Sequence, residues 1–449
     1  MVDLIKKQTN HIFNEIVDLR RDFHRNPELS FEEKKTSQKV KNYLHEIGVD
    51  AEKSIAGTGV VAKIIGTKKQ TEETNGKVKR IALRADMDAL PLTEETNHTF
   101  KSNTPNVMHA CGHDAHTAML LGVGKILSQN RNIFSGEVVL MFQPGEELLP
   151  GGALQMLKEG IFDPLPDAVF GQHCIPQIDV GKIGFYEGPM MAATDELYIT
   201  VKGEGGHGSA PHRTKDPVLA SVQIVQNIQS IISRNFPPEA PGVISITSIH
   251  GGHATNIIPN EVKLMGTLRT MNQSIREMAY VRLHDIVFHT GKALGVNAQI
   301  EIRHGYPVLI NSTDKTQFAK AAAIEFLGES NVITPEPIMG AEDFAYFLQK
   351  APGSFWQLGV RNEAQGIVHN IHSSQFDLDE EAIRVGNQTE IKIELREIRT
   401  ALEKIDDRLD KVEVRLEKVE TNTNTLTFDL KAHRNSSEAH RRTTNIPEK

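Results

Sequence analysis

What most restricts the fold of this 449-residue chain is a change of rhythm in its middle. Up to residue 186, apolar strand-like runs alternate with helical stretches. Residues 11–47 carry Ile12, Ile16, Leu19 and Phe23, then Val40, Leu44 and Ile47, at helical spacing up to Gly48. Val60–Ile65 and Arg80–Arg84 read as short strands, with the polar stretch Lys68–Lys79 as a hairpin loop between them. Asp114–Ile126 reads as a helix with Asp114 as its N-cap. Glu137–Phe142 reads as a buried strand, Ala153–Glu159 as a helix and Asp167–Gly171 as another strand. Helices alternating with apolar strands predict an α/β sheet with helices on its faces.

From residue 187 the order becomes strand, helix, two strands, helix, strand. The runs are Glu196–Lys202, Asp216–Ser233, Val243–Ile249, Glu261–Leu268, Ile275–Leu294 and Ala298–Arg303. That order predicts a small sheet with helices on one face. The α/β character resumes with Thr316–Phe326, Glu342–Gln349 and Gly353–Gly359. The expectation is therefore an insertion, residues 187–304, in a larger domain made of residues 1–186 and 305–388.

A third pattern starts near residue 390. Leu395, Ile398, Leu402, Ile405, Leu409, Val412, Leu416, Val419, Leu426 and Leu430 alternate spacings of 3 and 4, with Thr423 in the gap. The charges flanking this stripe, Glu394–Arg399, Arg408–Glu413 and Arg415–Glu420, are opposite in sign across a parallel pair. A coiled-coil helix over 389–430 is expected, and Leu at the first core position with Ile or Val at the second leans toward more than two strands. A single amphipathic helix packed on the body would show the same stripe. Residues 431–449 are polar and read as disordered.

Composition narrows the function. A net charge of −8 and no strong basic block in the body argue against nucleic acid as a partner. Two cysteines, Cys111 and Cys174, make no disulfide framework and suggest a reducing compartment. The first residues lack a signal-peptide core, and no apolar run approaches the roughly 20 residues that span a membrane. A cytoplasmic protein with no membrane partner is expected.

Chemistry concentrates at His109-Ala-Cys-Gly-His-Asp-Ala-His116 and Pro144-Gly-Glu-Glu147. Thiol, imidazole and carboxylate together suit borderline-soft divalent cations. Of two adjacent glutamates, one can hold a cation while the other moves a proton. A cysteine just before a helix also feels a dipole that favours thiolate. Asp86, Asp88 and Asp114 are candidates to fix a histidine ligand. The residues alone leave His109 and His116 unranked, His173 open, His369 level with His372, and Arg269 divided between a structural ion pair and a substrate carboxylate.

Residues from about 11 to 386 resemble the M20 metallopeptidase and amidohydrolase family, in its aminoacylase-like branch. The matching stretches are Arg84-Ala-Asp-Met-Asp-Ala-Leu-Pro91, the two motifs above, Gly205-Gly-His-Gly-Ser-Ala-Pro-His212, Gly340-Ala-Glu-Asp-Phe-Ala-Tyr346 and His369-Asn-Ile-His372. The resemblance implies a zinc-peptidase-like α/β catalytic domain with an inserted ferredoxin-like lid that also makes a homodimer. It implies two divalent metal ions per subunit, zinc or manganese, with cobalt or nickel as alternatives. Cys111 would bridge them, and His113, Glu147, His173 and His372 would complete the ligands. Glu146 would be the general base and Asp88 would orient a ligand. His207 would polarise the amide oxygen, often from the partner subunit, and Asn256, Arg269 and His212 are the candidates for binding substrate.

The implied substrate is a small N-acyl amino acid. A dipeptidase or carboxypeptidase, or an N-acetyl-diaminopimelate deacetylase, is the alternative enzyme. An inactive scaffold, made a higher homo-oligomer by its tail, is the alternative outside enzymes. One departure from the family is expected: after Phe376–Gly386 the chain runs into Asn387-Gln-Thr-Glu and the heptads, so the closing helix is shortened or replaced.

Overall fold

A computed structural model of the chain describes residues 2–68 and 79–397. Residues Met1–Leu395 form one compact unit and Arg396–Lys449 a second. Heptad positions Ile398 to Leu430 and the polar stretch 431–449 lie outside the described residues.

The main sheet is eight-stranded, in the order β1 (Ala51–Ile55), β2 (Gly59–Thr67), β4 (Ser135–Gln143), β3 (Arg80–Asp86), β5 (Ala168–Asp179), β16 (Gly353–Arg361), β6 (Ile183–Gly184) and β15 (Val332–Ile333). Its centre, β4-β3-β5-β16, is parallel, and its strands are buried on both faces. Helices α1 (Val2–Arg25), α2 (Lys34–Glu46), α3 (His113–Gln129), α4 (Gly152–Lys158), α7 (Thr313–Leu327) and α8 (Ala345–Leu348) accompany it. The fold is mixed α/β.

The second sheet has the order β10 (Gly242–His250), β12 (Glu261–Thr270), β8 (Ala193–Lys202) and β13 (Asn297–His304), all antiparallel. Along β8, Leu197, Ile199 and Val201 are buried while Glu196, Tyr198 and Thr200 are half-buried, so the two faces are chemically distinct. The apolar face packs on α5 (Pro217–Asn235) and α6 (Gln273–Ala293) through Ile224, Ile228, Ile231, Leu283 and Val287. Two short ribbons complete the set, β9 (Gly206–His207) with β11 (Ile257–Ile258), and β7 (Gly188–Met191) with β14 (Leu309–Asn311).

Four local expectations need correction. Strands β2 and β3 do not pair as a hairpin: β2 runs antiparallel to β4, and β3 pairs parallel with β4 and β5, while residues 69–78 lie outside the described residues. Two apolar runs in succession carry no record of which neighbour each will choose. Asp114 is not an N-cap; the cap residue is Gly112, and the Asp114 carboxylate instead takes Arg20 at 2.8 Å and His24 at 2.9 Å. The strand expected to stop at Gly171 runs on to Asp179, because β16 continues to pair with it after β3 has let go. Finally, a closing helix is present among the described residues. Helix α9 spans 381–397, with Ile383, Ile391, Ile393 and Leu395 buried. It docks by Gln388 to Thr9 of α1 at 2.9 Å and by Lys392 to Glu325 of α7 at 2.8 Å.

Among the described residues no helix is long and apolar enough to cross a membrane.

The second sheet hangs on one buried ion pair. Arg276 of α6 donates to both oxygens of Asp195 on β8, at 2.9 and 2.8 Å, and also to the carbonyl of Gly305 at 3.2 Å. Tyr280 donates to the same carboxylate at 2.8 Å. Asp195→Ala would strand a buried guanidinium. It is expected to lower the unfolding free energy by about 3–5 kcal/mol, read as a shift in the urea midpoint at constant slope.

Candidate active site

Because β3, β4, β5 and β16 are parallel, their carboxyl ends open on one side of the sheet, the usual position of a site in α/β folds. β3 delivers Asp86 and, just beyond it, Asp88. β4 delivers Gln143 and the turn Pro144-Gly-Glu-Glu147. His173 sits inside β5, beyond Gly171, the last residue that β3 pairs, so the edge beside it is open. Cys111 and Gly112 lead directly into α3 at His113.

Two glycines make these approaches sterically feasible. Gly112 has φ +87°, and a Cβ there would lie 3.0 Å from the Cys174 Cβ. Gly145 has φ +59°, and a Cβ there would lie 2.4 Å from the ring of Phe31. Only glycine adopts such backbone at so little cost in contact.

The five residues implied as metal ligands converge. The donor atoms of Cys111, His113 and His173 all lie within 4.8 Å of one another, as do those of Cys111, Glu147 and His372, and those of His113, Glu146 and Glu147. Cys111, His113 and Glu147 each belong to two of these sets, so the three sets share members and form one cluster. Its Sγ is 3.4 Å from His173 Nε2, and His372 Nε2 is 3.1 Å from Glu147 Oε1. His372 itself has φ +63° and donates its amide to the Ala110 carbonyl at 2.7 Å. That left-handed backbone at a non-glycine residue is strain of the kind found at functional sites.

Hydrogen bonding fixes which nitrogen each histidine can offer. His113 Nδ1 faces the Asp88 carbonyl at 3.0 Å and His173 Nδ1 faces the Cys174 carbonyl at 2.8 Å. A carbonyl only accepts, so both Nδ1 atoms carry protons and both Nε2 atoms are the ligand atoms. His116 is different: its Nε2 accepts the Cys174 amide at 2.9 Å, so its Nδ1 donates to Asp86 at 2.7 Å and no lone pair remains. His109 lies outside these sets, buried with neither ring nitrogen hydrogen-bonded, and burial lowers its pKa to about 4.

The donor set fits a divalent cation on an observation independent of any resemblance. The buried Nε2 of His113 has no hydrogen-bond partner, an omission that a cation beside thiol and carboxylate would repair.

Asp88 joins the two halves of the site. Its Oδ2 accepts the Glu147 amide at 3.0 Å and the Ser30 hydroxyl at 2.7 Å, while Oδ1 lies 3.3 Å from His113 Nδ1. Burial opposes its charge, but these partners hold its pKa below the usual value.

Burial pushes Glu146 well up, reinforced by Glu342 and Glu147 and opposed by Arg84. The Cys111 thiol is likewise pushed well up by burial and by Glu147 and Glu146. The helix start therefore does not make the thiolate; with these carboxylates so near, only a cation outweighs them. Burial alone would lower His113, but Asp86 and Asp88 overcome it and hold it at about 10.

These groups open into a cavity of ≈ 480 Å³, lined also by Arg269, Tyr306, Met190, Met191 and Ile338. Arg269 Nε donates to Thr267 at 3.2 Å. His207, His212 and Asn256 do not line it. His207 is exposed on β9, where its Nδ1 accepts the Ser209 amide at 3.2 Å, and the Asn256 carbonyl accepts the Gly208 amide at 2.8 Å. His212 is exposed in a 3-10 turn.

Sequence reading missed several contributors. Tyr306 donates to the Glu146 carbonyl, and its neighbourhood has no recognisable motif. Arg84 is buried and donates to Asp86 at 2.6 Å, Glu342 at 2.8 Å, Asp343 at 3.1 Å and Gln143 at 2.9 Å. All of these stood in motifs that match the family, yet nothing local says that one arginine serves three acids.

Cys111 and His113 hold protons at neutral pH before a cation arrives, and Glu146 holds its proton more tightly than a free carboxyl. Loading with zinc or manganese at pH 7.5 is expected to release about two protons per subunit, with affinity rising as pH rises. Calorimetry in buffers of differing ionisation enthalpy measures this, and a release near zero would contradict the assignment.

The sequence pattern of peptidase family M20/M25/M40 matches residues 82–391. Thermostable carboxypeptidase 2 of Saccharolobus solfataricus is 40% identical over 390 residues, 86% of this chain and 96% of that protein. The N-acyl-L-amino acid amidohydrolase of Geobacillus stearothermophilus is 42% identical over 307 residues, 68% of this chain and 80% of that protein. Among solved structures, the YXEP protein of Bacillus subtilis, a dinuclear metal-binding peptidase from family M20, superposes with TM-score 0.74 at 32% identity. That match covers 87% of this chain and 99% of the other.

Proposed function

The chain belongs to peptidase family M20/M25/M40, whose relatives hydrolyse amide bonds, and from that premise we propose that it cleaves N-acyl-L-amino acids to a carboxylic acid and a free amino acid. Arg269 carries this choice of substrate. Its guanidinium is half-buried in the cavity that holds Glu146 and Cys111, and among the described residues it makes no ion pair. A cation partly withdrawn from water, with Asp195 acting on it but no described carboxylate at ion-pair distance, is matched by a substrate carboxylate, which a guanidinium grips with two parallel bonds. Met190, Met191, Ile338 and Phe355 supply an apolar wall suited to an acyl group. The same site suits the carboxyl-terminal residue of a peptide, and the carboxypeptidase relative keeps that second reading in play.

Cys111, His113, Glu147, His173 and His372 would hold two divalent cations, zinc or manganese. Bound there, the cations would polarise the amide carbonyl and make a water nucleophilic near neutral pH. Glu146 takes the proton of the attacking water and hands it to the departing amine. Its raised affinity for a proton suits it to that return step. Tyr306 anchors the Glu146 backbone, and Asp88 keeps His113 and the Glu147 turn in register. In this reading the second sheet, with α5 and α6, is a lid and dimerisation domain spanning residues 187–304. His207 and Asn256, exposed on their ribbon, then serve the site of a partner subunit, with His207 steadying the oxyanion. Two buried free cysteines suit the cytoplasm.

Glu146→Gln is expected to lower kcat by about 10²–10⁴ while cation stoichiometry, measured by elemental analysis, stays at that of the parent. Arg269→Met is expected to lower kcat/KM on an N-acyl amino acid by about 10–100-fold. On the matching α-carboxamide it should cost far less. Equal losses on the two substrates would remove Arg269 as the carboxylate anchor. A panel of N-acyl amino acids and dipeptides, assayed after stripping and reloading with each metal, tests the activity itself.

A further inference from the structure

The polar face of the second sheet carries one more charged group into the cavity. Glu196 of β8 lines it together with Thr194, Thr267 and Arg269. Pairing places Glu196 opposite Thr267 and Arg269 opposite Thr194. The acid and the guanidinium are therefore diagonal neighbours on one face, with α-carbons about 7–8 Å apart.

Neither makes an ion pair with the other or elsewhere among the described residues, although Asp195 acts on Arg269 from further off. The hydrogen-bond partner of Glu196 is Tyr198, whose hydroxyl donates to Oε2 at 2.9 Å. Arg303 stands directly opposite Glu196 on β13 and the two charges act on one another, but they make no ion pair: Arg303 donates to Glu301 at 2.7 Å and lies 4.4 Å from the centre of the Tyr198 ring. Glu196 thus keeps one carboxylate oxygen for the cavity. A half-buried anion beside a half-buried cation, both facing one cavity, is a template for a ligand carrying both charges.

Resting on the amidohydrolase reading above, we propose that Glu196 is a specificity-determining residue that receives a positively charged side chain of the amino acid being released. With the α-carboxylate on Arg269, an unbranched side chain ending in an ammonium group, such as lysine or ornithine, runs along the sheet face and ends at the Glu196 carboxylate. The enzyme then prefers N-acyl derivatives of cationic amino acids over neutral ones of equal length.

Lysine and norleucine differ in this respect by little more than the terminal charge, so N-acetyl-lysine and N-acetyl-norleucine are the pair to compare. In the metal-loaded parent, kcat/KM is expected to favour the lysine substrate. Glu196→Gln, of the same size, should lower the ratio of the two kcat/KM values about tenfold or more, and Glu196→Lys should turn preference toward N-acetyl-glutamate. Turnover of both substrates with a ratio unmoved by either variant would overturn this inference and leave the amidohydrolase reading intact. Absence of metal-dependent turnover on every substrate would overturn both together.

Discussion

Five carboxyl groups, those of Asp86, Asp88, Glu146, Glu342 and Asp343, are buried around the carboxyl ends of β3 and β4, with Glu147 at their edge. Against them the protein sets Arg84 and the imidazolium of His113. Burying that much like charge is unfavourable unless cations compensate it. The other features of the site follow from this imbalance. Glu146, Glu342 and Asp343 retain protons more tightly than free carboxyls, because burial and their neighbours disfavour another anion. Cys111 stays a thiol for the same reason. A site so loaded is built around divalent charge, and adding that charge inverts each of these preferences at once.

The division of labour between the two sheets is equally physical. The parallel sheet presents strand ends, where backbone leaves the ladder and side chains can converge. The antiparallel sheet presents a face, where alternation sends Leu197, Ile199 and Val201 into a helix-covered core and leaves Thr194, Glu196, Thr267 and Arg269 for the cavity. In the proposed reading the first carries the reacting groups and the second reads the substrate, and a loop through Gly305 and Tyr306 ties them, since Tyr306 holds Glu146 while Gly305 accepts from Arg276.

What was legible in the sequence was local. The spacing of Cys111 and His113 puts both at one helix start, and Glu146 and Glu147 follow an apolar strand, so their convergence needed only the sheet to be parallel. The alternation within β8 announced a strand with one buried face. Illegible were choices made across the chain. Whether β2 turns back on β3 or pairs with β4, whether β5 stops at Gly171 or is carried on by β16, and whether Asp114 caps its own helix or serves Arg20 all depend on residues dozens to hundreds of positions away. The rank of His116 against His113 fell in the same class: it turned on a backbone amide at Cys174, which no spacing within the motif could reveal.

Helix α9 meets α1 through Gln388 and Thr9, and α1 in turn fixes Asp114, the residue after His113, through Arg20. β16, which prolongs β5 past His173, also arrives late in the chain. As the protein emerges from the ribosome, every proposed ligand except His372 is made before these supports exist. A chain released before α9 is made therefore carries every proposed ligand without part of the frame that holds them.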